Sequence, residues 1–187
     1  VEAEFDDGEI DGADLPGPVT GTNDDRCFEY AVDVYDSGFV EAYEYGIDVD
    51  DGFDIDEAGA GGINVQLLGS TIDSNLDEGA DFDEEDNGSI NLIAVDAVAK
   101  HNTDDGYKLS EEGRGGIGAT IYNFEGFNNG GKGIVLEEED SGSLNALVDN
   151  VSTRGNDDGD VDIEVVQDDA GRGKLTVLNS RIRGEIE

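Results

Sequence analysis

The stretch Asp104-Asp105-Gly106-Tyr107-Lys108-Leu109-Ser110-Glu111 repeats the plan of Asp77-Glu78-Gly79-Ala80-Asp81-Phe82-Asp83-Glu84, which lies 27 residues before it. Asp50-Asp51-Gly52-Phe53-Asp54-Ile55-Asp56-Glu57 stands 27 residues earlier again. Gly133 keeps the spacing, and Gly159 follows one residue early with Asp157-Asp158 in front of it. A segment that resembles itself at a fixed period signals stacked units, none of which can bury its apolar face alone.

Working outward from the glycine, each copy continues as a short alternating strand. Phe53 and Ile55, Tyr107 and Leu109, Ile134 and Leu136 share one face of it, with Phe82 and the shifted pair Val161 and Ile163 in the same role. Glu57, Glu84, Glu111, Glu138 or Glu164 closes the strand, and a turn such as Gly59-Ala60-Gly61-Gly62 or Gly113-Arg114-Gly115-Gly116 leads on. A second strand places Ile63-Val65-Leu67, Ile90-Leu92, Ile117-Ala119-Ile121, Leu144-Ala146-Val148 and Leu175-Val177 inward. A third apolar position falls at Ile72, Val98, Phe124, Val151 and Ile182, before Asn75, Asn102, Asn129 or Asn156 reopens the acidic turn. No segment sustains apolar residues at helical spacing over ten or more residues, and 28 glycines oppose helices further.

Three short strands per turn, with glycine and asparagine at the corners, predict an all-β solenoid. Runs such as Leu178-Asn179-Ser180-Arg181-Ile182 followed by an Asn…Gly-Ile turn resemble the right-handed parallel β-helix of the pectin-lyase-like superfamily, over residues 28–187. The reading is therefore a parallel β-helix of about six rungs, with residues 1–22 as an N-terminal arm or cap and 23–187 as the β-helix domain. Phe28-Tyr30-Val32-Val34 suits a first strand, and residues 35–47 form the least regular rung.

In such a coil, period 27 becomes columns of like residues about 4.8 Å apart. Apolar columns make the core, and the acids are expected on the outside. Two stacked carboxylates repel by about 0.9 kcal/mol in water and about 3.5 kcal/mol at an effective dielectric of about 20. Several copies would rival the stability of a whole domain, about 5–15 kcal/mol. Lys and Arg total 10 against 48 Asp and Glu, a formal net charge of −38, so protein cations cannot neutralise the columns. Calcium can, because it takes 6–8 oxygens from carboxylates, carbonyls and water. The expected ligands are Asp50, Asp51, Asp77, Glu78, Asp104, Asp105, Asp157 and Asp158 at the turns. A second column of Glu57, Glu84, Glu111, Glu138 and Glu164 is expected at another corner, reinforced by Glu85, Glu112 and Glu139. Lys132, in the Gly131-Lys132 turn, would put an ammonium in place of an ion. A salt-adapted surface, whose carboxylates hold hydration and prevent association, is the competing reading of the same acidity.

Chemistry beyond ions has few handholds. His101 is the only histidine, Cys27 the only cysteine, and Pro16 and Pro18 the only prolines. These numbers favour a turn histidine over a zinc site at His101, and they exclude an internal disulfide and the Asp-Pro-His signature of alginate epimerases. Arg154, Arg181 and Arg183 are the strand or turn arginines, outside any recognisable lyase motif. The scarcity of cations argues against nucleic acid, and no run approaches 18 apolar residues, so no membrane span is expected. With neither an initiator Met nor a signal peptide, the chain reads as processed or trimmed. Two function classes remain. One is a secreted or cell-surface calcium-binding module with a structural or adhesive role, its partners being calcium ions and an extracellular glycan or a neighbouring domain or subunit. The other, implied by the resemblance, is a calcium-dependent polysaccharide lyase or hydrolase domain.

Overall fold

A computed structural model describes residues 2–6, 9–11, 29–35, 38–40, 51–59, 61–157 and 160–187, the first four segments as backbone and strand pairing. Asp50, Asp158, Gly159, Cys27 and most of the 1–22 arm lie outside the described residues. The chain is a parallel β-solenoid with a repeat of about 27 residues and about five turns, one fewer than the repeat count suggested.

Three faces make up each turn. On the first, Glu2–Asp6, Phe53–Gly59, Ala80–Asp86, Tyr107–Gly113, Ile134–Asp140, Val161–Gln167 and Glu185–Ile186 pair in parallel, and Glu9–Asp11 adds an antiparallel strand at the N-terminal edge. The second stacks Glu29–Tyr35, Gly62–Leu68, the first part of Ile90–Lys100 and of Ile117–Phe127, Asn145–Asp149 and Lys174–Leu178. Gly38–Val40, Thr71–Asp73, the ends of the two long strands, Ser152–Arg154 and Arg181–Ile182 form the third. Phe53, Ala80, Tyr107 and Ile134 lie directly opposite one another, so the glycine period is the strand register itself.

Single residues with positive φ make the corners. Asp86, Gly113, Asp140 and Asp169 turn the first, Asp96, Asn123, Asn150 and Asn179 the second, and Ser74, His101, Asn128 and Gly155 the third. Most of these are Gly, Asn or Asp, the residue types that enter the left-handed region at least cost. The repeating glycine has another cause. A Cβ on Gly79 would stand 2.4 Å from the Gly106 carbonyl oxygen and 2.6 Å from Asn102 Nδ2, so only glycine lets one coil lie this close to the next.

The interior is a single column of buried side chains. Ile55, Phe82, Leu109 and Leu136 fill it from the first face and Ile63, Ile90, Ile117 and Leu144 from the second. Phe53 and Phe82 meet edge to face at 5.4 Å, and the Tyr107 and Phe124 rings pack tilted at 4.8 Å. Two expectations are corrected. Ala97 and Ala99, rather than Val98, face the core, because left-handed Asp96 resets the in-out alternation. The final repeat also lengthens. Ile134 pairs with Ile163 and Leu136 with Val165, an offset of 29 residues, so Val161 does not take the position of Ile134.

At the third corner, asparagines form a buried amide ladder. Asn102 Oδ1 accepts from Asn75 N–H at 3.2 Å and from Asn75 Nδ2 at 2.9 Å. Asn129 Oδ1 does the same for Asn102, and Asn156 Oδ1 for Asn129. Buried Asp162 ends the ladder, accepting from Asn156 Nδ2 at 2.6 Å and, through Oδ2, from the N–H groups of Arg183 and Gly184. An amide stacks on itself favourably because it offers a donor upward and an acceptor downward. Replacing Asn102 by Ala removes these bonds and strands buried donors, at a cost of about 3 kcal/mol. Asn91→Ala, which removes the exposed bond to Asn64, should cost less than about 0.5 kcal/mol. Equal shifts of the two denaturation midpoints would contradict the ladder's role.

Candidate functional site

The acidic turns stack as two adjacent columns. In one, backbone bonds run from Asp104 N–H to Asp77 O, Gly131 N–H to Asp104 O and Asp157 N–H to Gly131 O, at 3.1, 3.0 and 2.6 Å. In the other, the Asp51 and Asp105 carboxylates each take an amide of the coil above. Glu78 N–H donates to Asp51 Oδ1 at 2.8 Å, and Lys132 N–H donates to Asp105 Oδ1. Of the turn acids named from the sequence, Asp51, Asp77 and Glu78 converge, each bringing one oxygen within 4.8 Å of the other two. Oxygens bound to one calcium at about 2.3–2.6 Å lie at most about 5 Å apart, so the spacing of the three is compatible with one shared calcium, whose other ligands would be carbonyls or water. Asp104 and Asp105 draw together one coil higher, where a Cβ on Gly131 would lie 2.2 Å from an oxygen of each. Among the described residues they form no group of three.

Electrostatics mark the same turn. Burial, and then the charges of Asp81, Asp51 and Asp77, push Glu78 up to about 9. Asp105 rises to about 6, chiefly by burial, against the pull of the Lys132 amide. Lys108, which the sequence reading passed over, is the cation that serves this region. Its Nζ lies 2.9 Å from Asp81, 3.7 Å from Glu78 and 4.0 Å from Asp83. The Lys132 ammonium pairs with Glu164 at 3.1 Å, and this bond raises its pKa.

The glutamate column stands elsewhere than expected. Glu57, Glu84, Glu111 and Glu138 are in register and point into the solenoid, each at most 3% exposed. Glu164 is not among them, because the 29-residue offset sets it opposite Val135 and brings Gln167 opposite Glu138. Each member is followed four residues later by a glycine that folds over it. Gly115 N–H donates to Glu111 Oε1 at 2.8 Å, and a Cβ on Gly88 or Gly142 would lie 2.1 Å from Glu84 or Glu138 Oε1. As four carboxylates, the ladder would leave both oxygens of Glu84 and of Glu138 buried without a donor. Protons shared between neighbours would supply the donors. Burial first, and then the carboxylates of Glu57 and Glu111, push Glu84 up to about 9, and burial with Glu111 lifts Glu138 to about 6. So protonated, Glu84 would bond to Glu57 and Glu111, and Glu111 to Glu138. Gln167 closes the row with a neutral amide whose Oε1 accepts from Leu144 N–H at 3.0 Å. The pattern Glu/Gln-x-x-x-Gly was the legible signal: Glu57 and Gly61, Glu84 and Gly88, Glu111 and Gly115, Glu138 and Gly142, Gln167 and Gly171.

Other chemistry is sparse. His101 sits at a corner with Nδ1 3.0 Å from Asp73 Oδ1 and Nε2 3.5 Å from Asn128 Nδ2, so the solenoid itself uses both ring nitrogens. The first corner carries a groove of about 880 Å³ lined by Asp86, Gly113, Arg114, Asp140, Ser141 and Asp169. On the second face, an outward hollow of about 540 Å³ is lined by Asn91, Ile93, Gly118, Thr120 and Asn145, with Lys174 as the one charged group. No helix among the described residues is long and apolar enough to cross a membrane. Comparison with protein-family models, curated proteins and solved structures returns no match.

These folded carboxyls hold protons more tightly than unfolded ones, so unfolding releases protons and stability falls as pH rises. Their contribution is complete below the ordinary values of 3.8 to 4.5. It is lost through about 6 for Asp105 and Glu138, about 7 for Asp83 and about 9 for Glu78 and Glu84. Without divalent ions, chemical denaturation should show a midpoint that declines from pH 5 to pH 9, and Glu84→Gln should flatten the upper part of that decline. A midpoint rising over this range would refute the shared protons.

Proposed function

We propose that this chain is an extracellular calcium-binding β-solenoid module with a structural or adhesive role, whose folding is linked to ion binding. The observation that carries the reading is the convergence of Asp51, Asp77 and Glu78 within 4.8 Å, in a chain whose net charge of −38 leaves few cations of its own to place there. Calcium bound at this turn favours the ionised form of Glu78 and removes a like-charge cost that stacking imposes. An adhesive role is supported by the second face, where Asn, Thr and Tyr122 offer hydrogen-bonding and stacking groups to a neutral glycan with little charge in the way.

Calorimetric titration of the whole chain tests this. Calcium should bind and raise the melting temperature, and Asp51→Asn with Asp77→Asn should remove most of both effects, whereas Asp168→Asn with Asp169→Asn should leave them. Equal stabilisation by sodium chloride at matched ionic strength would mean simple screening and would favour the salt-adapted surface.

A polysaccharide lyase or hydrolase remains the second reading, and one observation favours it: Arg114 shares the first-corner groove with Asp86, Asp140 and Asp169. With calcium present, the module reading expects no release of unsaturated or reducing ends from alginate, pectate or neutral glycans. Turnover that Arg114→Ala abolishes would establish the enzyme instead.

A further inference from the structure

Four of the ten lysines and arginines, Lys100, Arg154, Arg181 and Arg183, gather at the third face. Pairing stacks Asp73, Lys100, Phe127 and Arg154 in one outward column, and Arg183 follows next to Arg154, its N–H donating to Thr153 O. The lower half of this column is satisfied internally. Lys100 pairs with Asp73 at 3.0 Å. The upper half has no carboxylate partner among the described residues, and the Arg154 guanidinium lies over the Phe127 ring at 4.7 Å. Arg154, Arg181 and Arg183 are exposed, and among the described residues none forms an ion pair, although the chain carries 48 acids. Asp162 is occupied by the amides of Arg183 and Gly184, and Asp157 and Glu185, which lie closer in sequence, form no ion pair among the described residues. Glu125 lies in the adjoining column, below Ser152 and Arg181.

The opposite charge is arrayed with the same geometry at the end of the first face. Glu85, Glu112 and Glu139 stack in register and are all exposed. Both rows repeat at the strand spacing of about 4.8 Å, because the same coil stacking builds both. Two molecules lying side by side with parallel axes therefore bring Arg154 and Arg183 of one into step with two consecutive glutamates of the other, a match that an anion without this periodicity does not offer. Guanidinium and carboxylate pair well in that arrangement, and the contact also relieves the self-repulsion of a chain at −38.

We propose that the third-face arginine row docks on the Glu85, Glu112 and Glu139 edge of a second copy of this chain. The two surfaces differ, so the contact is head-to-tail and leaves a free arginine row and a free glutamate edge at its ends, which builds lateral arrays rather than closed dimers.

Sedimentation of the full chain in saturating calcium tests this over a concentration series. Wild type should pass beyond the mass of two chains. Arg154→Glu with Arg183→Glu should stay at 19.8 kDa, and so should Glu112→Arg with Glu139→Arg. An equimolar mixture of these two variants should associate again, because each complements the other. All substituted positions are exposed, and matching melting curves would show that the variants remain folded. A monomeric wild type, undiminished association of the arginine variant, or a mixture that stays monomeric would each overturn the proposal. So would a monomeric wild type that binds polygalacturonate through the same arginines, since the occupant would then be a polyanion.

Discussion

Every coil of this solenoid sets like on like. Residues one repeat apart lie in register at the spacing of hydrogen-bonded strands, so the energy of a column is set by how a side chain interacts with a copy of itself. Apolar residues do so well, and the Ile, Leu and Phe columns form the core. Asparagine does so too, being both donor and acceptor, and a buried row of four stands at the third corner. Carboxylates do not, and each carboxylate column therefore requires a further component. Inside the coil the buried, donorless oxygens point to a proton shared between neighbouring glutamates as that component. At the Asp turns it is partly the Lys108 ammonium and partly, in our proposal, calcium.

Much of this was legible in the sequence, because the 27-residue period survives as strand register from Phe53 to Ile134. The glutamate ladder was legible in principle. Phe53, Ile55 and Glu57 alternate with period two, which puts Glu57 on the same side as the two core residues. Chemical habit argued otherwise, since glutamate is almost never fully buried unless paired. What overrides habit here is the neighbour one coil away, which no local window contains. The slip at the last repeat was harder to see. Gly159 comes early while the next strand pairs two residues late, and it is Gln167-x-x-x-Gly171 that marks the true correspondence. Lys108 was overlooked for a related reason: its partners Glu78, Asp81 and Asp83 belong to the preceding coil.

The two kinds of acid column differ in what they can respond to. Ladder glutamates are enclosed by glycine turns and stacked pairwise, and no three of their oxygens converge as those of Asp51, Asp77 and Glu78 do, an arrangement that suits shared protons. Asp51, Asp77 and Glu78 are only half-buried, so water could complete a coordination shell there. Proton binding inside and, in our proposal, calcium binding at the corner would be separate ways of relieving the same repulsion.

Infrared spectroscopy of the carboxyl groups tests that division most directly. At neutral pH the account predicts a carboxylic acid carbonyl band from the buried ladder that persists until about pH 9, diminishes in Glu84→Gln and is unchanged by calcium. Calcium should instead shift the carboxylate bands of the turn acids. A neutral-pH spectrum with every carboxyl ionised, or an acid band that calcium abolishes, would contradict it.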